Sequence, residues 1–376
     1  MEHVGGILRS DSWNLPRGGE TSSLDDHGAA AIPGSIVVTG SSGFIGRHVV
    51  RSLLGHGARV VGIDRRPSGV DLPGFTERVV DLLDKPQLTR TLQEAAPDAL
   101  LHLAARTDLD EARDLGGYAA NIAGVENLHA AIAGTPSIRR WICTSSQLVC
   151  RVGYTPRDEY DFQPSTLYGQ SKVRTEQITR ELNGAGREWC LVRPTTIWGP
   201  GMNPHYLRFF RMIRDGRYFH VGRGPTLKSY GYVGNTVQQF LRLLIAPADR
   251  IQGRVLYLAD YEPLALEAWA DAFQRVLGAR RIRAMPVALA RVAALIGDVV
   301  NHLGVPRFPF NSFRLRNVLT AYQVDLSATA AVCGPLPYTM DDGVRATVSW
   351  LHECWAQPTG PVPGAAGLPL ISRRTE

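Results

Sequence analysis

The chain has 376 residues, 44% of them hydrophobic and 20% charged, and its formal net charge of +6 is spread along its length. That is enough for a full α/β domain and a smaller appended one, and the dispersed charge argues against a nucleic-acid partner, since the densest basic group, Arg280, Arg281 and Arg283, reads as a solvated face at a helix end. Five scattered cysteines without a Cys-x-x-Cys pair exclude a disulfide framework or zinc site, and suit reduced thiols in a cytoplasmic setting.

Residues 1–33 are rich in Gly, Ser, Asp and Arg without an apolar core, which predicts a disordered leader and no signal peptide. The first apolar run, Ile36, Val37 and Val38, reads as a buried parallel strand, because β-branched side chains fill a sheet covered on both faces. Gly40, Gly43 and Gly46 follow at intervals of three. The first permits a tight turn, the second lets backbone N–H groups approach a pyrophosphate, and the third lets the next helix, Phe44 to about Gly55, pack close to the strand. The helix N-terminus then points its unpaired amides at that phosphate. Three glycines describe an ordinary turn equally well. The second strand, Val60 to Asp64, adds a carboxylate at the right distance for the adenosine ribose hydroxyls.

Short apolar runs then alternate with helical ones, the pattern of a parallel sheet wound by crossover helices. Arg78 to Asp81 is expected as the third strand and Gln87 to Ala96 as a helix. Ala99 to Ala105 is the fourth strand, ending in small residues that suit either a flat cofactor or plain close packing. Tyr118 to Gly134, carrying Asn121, is expected as one helix, and Trp141 to Thr144 as a strand running into Ser145 and Ser146. Tyr168 and Lys172 open a helix to about Leu182, and four residues apart they share a face. A tyrosine with a pKa near about 10 is a poor base at neutral pH, and an adjacent cation favours its phenolate. Alone the pair is polar surface. Behind a serine at a strand end and a complete glycine cradle, it reads as catalytic.

These elements together resemble an extended short-chain dehydrogenase/reductase of the NAD-dependent epimerase/dehydratase group. The resemblance rests on Thr39 to Gly46, Asp64, Asp81, His102 to Ala105, Asn121, Thr144 to Ser146, Tyr168 and Lys172, Arg193 to Pro200, and a late segment from Met340 to Trp350. It implies that Gly40, Ser42, Gly43, Phe44, Ile45 and Gly46 hold the pyrophosphate, Asp64 with Arg65 the adenosine ribose side, and Asp81 with Leu82 the adenine edge. Leu103, Ala104 and Ala105 line the cofactor. Tyr168 is the implied acid/base on the reacting hydroxyl, Lys172 holds the nicotinamide ribose and tunes that tyrosine, and Ser146 hydrogen-bonds the same oxygen. Arg106, Gln147, Thr195, Thr196 and Lys228 are the implied substrate contacts, and no metal is expected. Relatives that pair through the helices around Asn121 and Tyr168 suggest a homodimer.

Departures from the group's pattern narrow the reaction. Its sugar dehydratases carry an acidic pair directly after the serine or threonine; Gln147 and Leu148 stand there, so dehydration is disfavoured. Thr196 replaces an asparagine common at nucleotide diphosphates, and Lys228 replaces a diphosphate-binding arginine, which a lysine matches in charge but not in bidentate grip. Arg208, Arg211 and Arg214, on a helical run from Tyr206 to Asp215, read as a wet helix face opposite Leu207, Phe210 and Ile213. The leading expectation is therefore an NAD-dependent epimerase or dehydrogenase acting on a sugar hydroxyl, the sugar carried on a nucleotide. The alternatives are a 3-beta-hydroxysteroid dehydrogenase-like oxidoreductase, with Phe308, Phe310 and Phe313 admitting a greasier ligand, and a non-catalytic dinucleotide-binding protein. Asp64 favours NAD, while Arg65 and Arg66 keep NADP open.

The expected fold class is α/β: a Rossmann-type doubly wound parallel sheet with a smaller, mainly helical C-terminal substrate lobe. The domain is drawn over 34–200 with 229–260 returning to it, the lobe over 201–228 and 261–335, a closing helix over 336–356 and a flexible tail over 357–376. Helices are expected at Leu264 to Leu277, Val287 to Leu303 and Asn311 to Leu319. The longest apolar stretch, Val287 to Val305, carries Arg291, Asp298 and His302, so it reads as an amphipathic helix and not a membrane span; attachment to a membrane surface stays open, without support from the sequence.

Overall fold

Ile36, Val37 and Val38 are fully buried in an inner strand of a seven-stranded sheet. The computed structural model describes residues 31–109, 111, 113–203, 207–222, 224–302 and 310–356. Nearly all of the expected leader, the expected tail, Tyr206 and Phe308 lie outside them. In chain order the strands are β1 (Ser35–Thr39), β2 (Arg59–Asp64), β3 (Phe75–Val79), β4 (Ala99–His102), β5 (Arg140–Thr144), β6 (Glu188–Pro194), β7 (Thr196–Trp198), β8 (Phe219–Val221), β9 (Leu227–Lys228), β10 (Tyr230–Tyr232), β11 (Val255–Leu258), β12 (Leu264–Ala265) and β13 (Arg283–Met285). The helices are α1 (Phe44–Gly55), α2 (Lys85–Ala95), α3 (Ala123–Ala133), α4 (Leu167–Glu181), α5 (Leu207–Arg214), α6 (Val233–Ile245), α7 (Ala248–Ile251), α8 (Leu266–Val276), α9 (Val287–His302), α10 (Ser312–Leu319), α11 (Ser327–Cys333) and α12 (Met340–Ala356).

The main sheet is parallel throughout, in the order β3-β2-β1-β4-β5-β6-β11. Strand order reverses between β1 and β4, and in such a sheet the crevice outside the carboxyl ends at that point is where ligands bind. Alternate residues of β1 serve opposite layers. Ile36 and Val38 pack with Val49 and Leu53 of α1 and Val237 and Phe240 of α6; Val37 packs with Leu88, Leu92, Leu128 and Ile132 of α2 and α3. Each such aliphatic side chain contributes about 1.5–3 kcal/mol by leaving water.

Two expected elements are corrected. The third strand is Phe75–Val79, and its register pairs Asp64 with Val79, so Val80 and Asp81 lie just past its end. It is an edge strand with little burial, and lacks the apolar run by which an inner strand is recognised. The segment read as one helix from Tyr118 is split into a 3₁₀ turn, Leu115–Asn121, and α3, broken where Ile122 leaves helical geometry (φ −117°, ψ −81°).

The smaller lobe is built on α5, α8, α9 and α10 with short strand pairs β8–β13 and β9–β12. Its core is aromatic: Trp269 stacks on Phe209 at 5.3 Å and meets Phe273 edge-on at 5.1 Å, while Trp198 reaches both Trp269 and Phe273. As read from the sequence, Phe210 and Ile213 are the buried residues of α5. Phe310 meets Phe219 at 5.6 Å in a separate small cluster with Val221, Ala290, Ala294 and Leu315, so it serves as packing.

Candidate active site

The turn leaving β1 fits its glycines tightly. Gly40 has φ +73°, and a Cβ there would lie 2.6 Å from the Ala104 amide nitrogen, so the turn rests directly on the chain leaving β4. A Cβ on Gly46 would lie 2.1 Å from the Gly40 carbonyl oxygen, which draws α1 against that turn. Gly43 caps α1 without any side-chain hydrogen bond, and no acidic residue stands in the first turn, so the first-turn amides near Phe44 and Ile45 carry the helix's positive end toward the crevice. Asp64 closes the other side: its Oδ2 accepts from the Ser42 amide at 3.1 Å and its Oδ1 from the Arg66 amide at 3.2 Å. Arg65 and Arg66 are exposed beside it. A backbone that leaves no room for a Cβ, an uncapped helix end and a carboxylate over the loop together fit a dinucleotide.

The opposite wall comes from β4. Thr39 Oγ1 pairs with His102 Nδ1 at 2.8 Å and accepts from the Ala104 amide at 3.3 Å, so the two strand ends are tied and Leu103, Ala104 and Ala105 follow them into the crevice. Burial pulls the His102 pKa down to about 3, keeping the ring neutral. Asp81 turns its Oδ1 to the Leu83 amide at 2.9 Å, and Leu82 is buried in the α2–α3 layer with its carbonyl accepting from Asn127 at 3.0 Å.

Thr166 caps α4 by accepting from the Gly169 amide at 3.0 Å, and the helix then presents Tyr168, Lys172 and Glu176 along one buried face. The Tyr168 phenol lies beside Ser146, whose Oγ accepts from the Leu148 amide at 3.1 Å. Lys172 Nζ donates to the Thr144 carbonyl at 2.8 Å. Burial pushes the phenol up to about 12, partly offset by the neighbouring Ser146, and pulls the ammonium down to about 8. The Lys172 ammonium, expected to favour the phenolate, is directed to a strand-end carbonyl, and burial is the largest influence on the phenol. Asn121 steadies the site, since its Oδ1 accepts from the Arg106 amide and its Nδ2 donates to the Arg106 carbonyl and to Ser171 Oγ.

Sequence reasoning missed the group beneath this pair. Glu176 and Arg193 are 0% and 1% exposed and form a two-pronged ion pair, both arms 2.8 Å, with Ser145 donating to the same carboxylate at 2.6 Å. The available signal was the spacing, since Glu176 stands four residues after Lys172 just as Lys172 stands four after Tyr168.

The implied substrate contacts divide. Gln147 and Thr196 meet, Nε2 to Oγ1 at 3.5 Å, with the Gln147 Oε1 buried and without a partner among the described residues. Thr195 donates to the Leu258 carbonyl at 3.3 Å. Two cations read as substrate contacts are committed elsewhere. Lys228 is 5% exposed, and its ammonium donates to the carbonyls of Asn317 and Thr320, both at 2.8 Å, which ties β9 to the end of α10. Arg106 spends four of its five N–H donors on Asp108, Glu111 and the Gly117 carbonyl.

Comparison with known proteins agrees with this geometry. The NAD dependent epimerase/dehydratase family signature matches residues 36–259. An Escherichia coli O157:H7 protein, N-acetyl-alpha-D-glucosaminyl-diphospho-ditrans,octacis-undecaprenol 4-epimerase, is 24% identical over 84% of this chain and 95% of its own. A 3 beta-hydroxysteroid dehydrogenase/Delta 5-->4-isomerase of Mycobacterium tuberculosis is 29% identical over 66% of this chain and 70% of its own. The solved UDP-glucuronic acid 4-epimerase of Bacillus cereus, in complex with UDP-glucuronic acid and NAD, superposes with a TM-score of 0.65 at 18% identity over 85% of this chain and 99% of its own, a likeness of fold. With the signature running from the first strand of the main sheet to the last, the chain belongs to the NAD-dependent epimerase/dehydratase family.

Proposed function

We propose that the protein is an NAD-dependent epimerase or dehydrogenase acting on a sugar hydroxyl, the sugar carried on a diphosphate such as that of a nucleotide sugar. The observation that carries this reading is the buried face of α4, on which Tyr168 and Lys172 stand one turn apart and from which the Lys172 ammonium reaches the Thr144 carbonyl at 2.8 Å, at the carboxyl end of β5 next to Ser145 and Ser146. When bound, the nicotinamide takes hydride from the carbinol carbon or returns it. Tyr168 exchanges the proton of the reacting oxygen, giving it up as a ketone is reduced and taking it as an alcohol is oxidised. Ser146, beside the phenol, favours the phenolate, against the burial that favours the phenol. Lys172 supplies positive charge one turn along the same helix. Gly43 and the first turn of α1 are assigned the pyrophosphate, and Asp64 the adenosine ribose, so the cofactor is NAD in preference to NADP.

The diphosphate in this proposal is supported by the E. coli relative, whose name places its sugar on one. A second reading, a hydroxysteroid-type oxidoreductase, is favoured by the commitment of Lys228 and Arg106 to the protein's own oxygens, which leaves those two cations little for a phosphate. The two separate in one assay: incubate the protein and NAD with a panel of UDP-, GDP- and dTDP-sugars and with a 3-beta-hydroxysteroid, follow NADH absorbance, and resolve sugar isomers by chromatography. A new sugar epimer without net NADH supports the first reading. NADH produced from the sterol alone rejects it.

A further inference from the structure

Helix α9 is built inside out. Its small residues Ala290, Ala294 and Gly297 are buried, the alanines against Val221 and Leu315, while Leu289, Val292, Leu295, Ile296 and Val299 are each 56–61% exposed. These five recur at intervals of three and four, so they form one continuous stripe on the outer side. Arg291 and His302 are exposed along one edge of the stripe, and the helix's single acid, Asp298, is turned away to accept from the Ser312 amide at 3.3 Å. A soluble surface helix puts its large aliphatics inward. An outward stripe of this length marks a surface that meets something apolar.

The strand that leads into α9 carries the second feature. β13 pairs with β8 beside a cleft of about 1280 Å³ lined by Arg217, Arg275, Arg280, Arg281 and Arg283. Among the described residues none of these five guanidinium groups makes an ion pair or side-chain hydrogen bond. The one acid lining the cleft, Asp271, is held by His220 at 3.0 Å. Five unpaired like charges raise one another's electrostatic cost, which an anionic partner relieves.

We propose that α9 and this arginine cleft form a docking face for an anionic lipid surface. The aliphatic stripe enters the boundary between headgroups and acyl chains, Arg291 and His302 remain at headgroup level, and the five arginines pair with lipid phosphates. Charge favours an anionic lipid surface over a second copy of this chain, whose own net charge is +6. No helix among the described residues is long and apolar enough to cross a membrane, so the attachment is to one leaflet. This inference stands apart from the redox reading.

The test uses the full-length protein sedimented with vesicles of phosphatidylcholine alone or with added phosphatidylglycerol. The bound fraction is expected to be at least about tenfold higher on the anionic vesicles at low salt and to fall as salt is raised. Leu295→Glu/Ile296→Glu abolishes binding to both vesicle types, whereas Arg280→Glu/Arg281→Glu erases the preference for phosphatidylglycerol. Both variants are required to keep the wild-type circular dichroism spectrum and NAD affinity; if these surface pairs unfold the protein, neutron reflectivity of the unmodified protein on a supported bilayer replaces them, and α9 is expected at the headgroups. Equal partition onto the two vesicle types overturns the proposal. So does a shift in oligomer mass for Leu295→Glu/Ile296→Glu with vesicle binding unchanged, which assigns the stripe to a second copy.

Discussion

Replacing Glu176 with alanine strands the Arg193 guanidinium in a site where it is 1% exposed. The remaining hydrogen-bond partners are the Glu159 carbonyl at 2.7 Å and the Tyr257 hydroxyl at 3.2 Å, with the Phe162 and Tyr257 rings 5.5 Å away, and none of these carries charge. Breaking one side of a buried ion pair costs about 3–5 kcal/mol, and Ser145, which loses its 2.6 Å acceptor, adds about 1 kcal/mol. Against a typical native stability of about 5–15 kcal/mol this brings the protein near its unfolding limit. Urea denaturation followed by tryptophan fluorescence measures the change. The double variant Glu176→Leu/Arg193→Met removes both charges at similar volume, and is expected to recover most of the loss, because an apolar pair escapes the desolvation that the ion pair suffers. Glu176 also shares a helix face with Tyr168 and Lys172, so the single variant is expected to lose turnover beyond its loss of folded protein. A single change costing less than about 1 kcal/mol, or a double variant as unstable as the single one, refutes the assignment of this pair as the keel of the site.

Other outcomes follow from the same geometry. Burial holds His48 and His129 down to about 4 and His102 to about 3, so the folded protein refuses protons that the unfolded chain takes near pH 6.5. Stability is therefore full above pH 6.5 and falls toward pH 4 by about 3 kcal/mol per histidine. Burial raises Asp260 to about 6, which works in the opposite sense and returns about 2 kcal/mol over that window. Urea midpoints that stay constant from neutral to acid pH contradict this. Gly46→Ala, whose Cβ would meet the Gly40 carbonyl at 2.1 Å, is expected to destabilise the fold, whereas Gly43→Ala, with its nearest atom at 3.1 Å, keeps the fold and weakens NAD binding at least about tenfold by crowding the pyrophosphate. Calorimetric titration of the two folded variants checks the contrast, and unchanged affinity in Gly43→Ala counts against the cradle. NAD is expected to bind at least about tenfold more tightly than NADP because the Asp64 carboxylate repels a 2′-phosphate; equal affinities remove that argument.

The inner half of the fold was legible because parallel strands buried on both faces must be apolar, as Ile36 to Val38 and Ala99 to Leu101 are. Edge strand β3 was misplaced because its residues face water and carry no such run. Tyr168, Lys172 and Ser146 were singled out by type and spacing, and in the structure Tyr168 and Lys172 share a buried helix face whose lysine reaches the strand end that carries Ser146. What spacing could not convey is where a charge is spent. Lys228 and Arg106 look like phosphate ligands by chain position, and each is satisfied by oxygens remote from the expected substrate or local to its own loop. Nor does periodicity tell which face of α9 turns inward, since a stripe of alanine and glycine on one side and aliphatics on the other suits either orientation until its neighbours are known.

The most direct test of the central claim is the Tyr168→Phe variant, measured for NAD affinity by fluorescence titration and for turnover on whichever substrate the sugar and sterol panel yields. Loss of the phenolic proton donor with the ring retained is expected to leave NAD affinity within about twofold and lower turnover by about 100-fold or more. Turnover at the wild-type rate contradicts the assignment of Tyr168 as the acid/base.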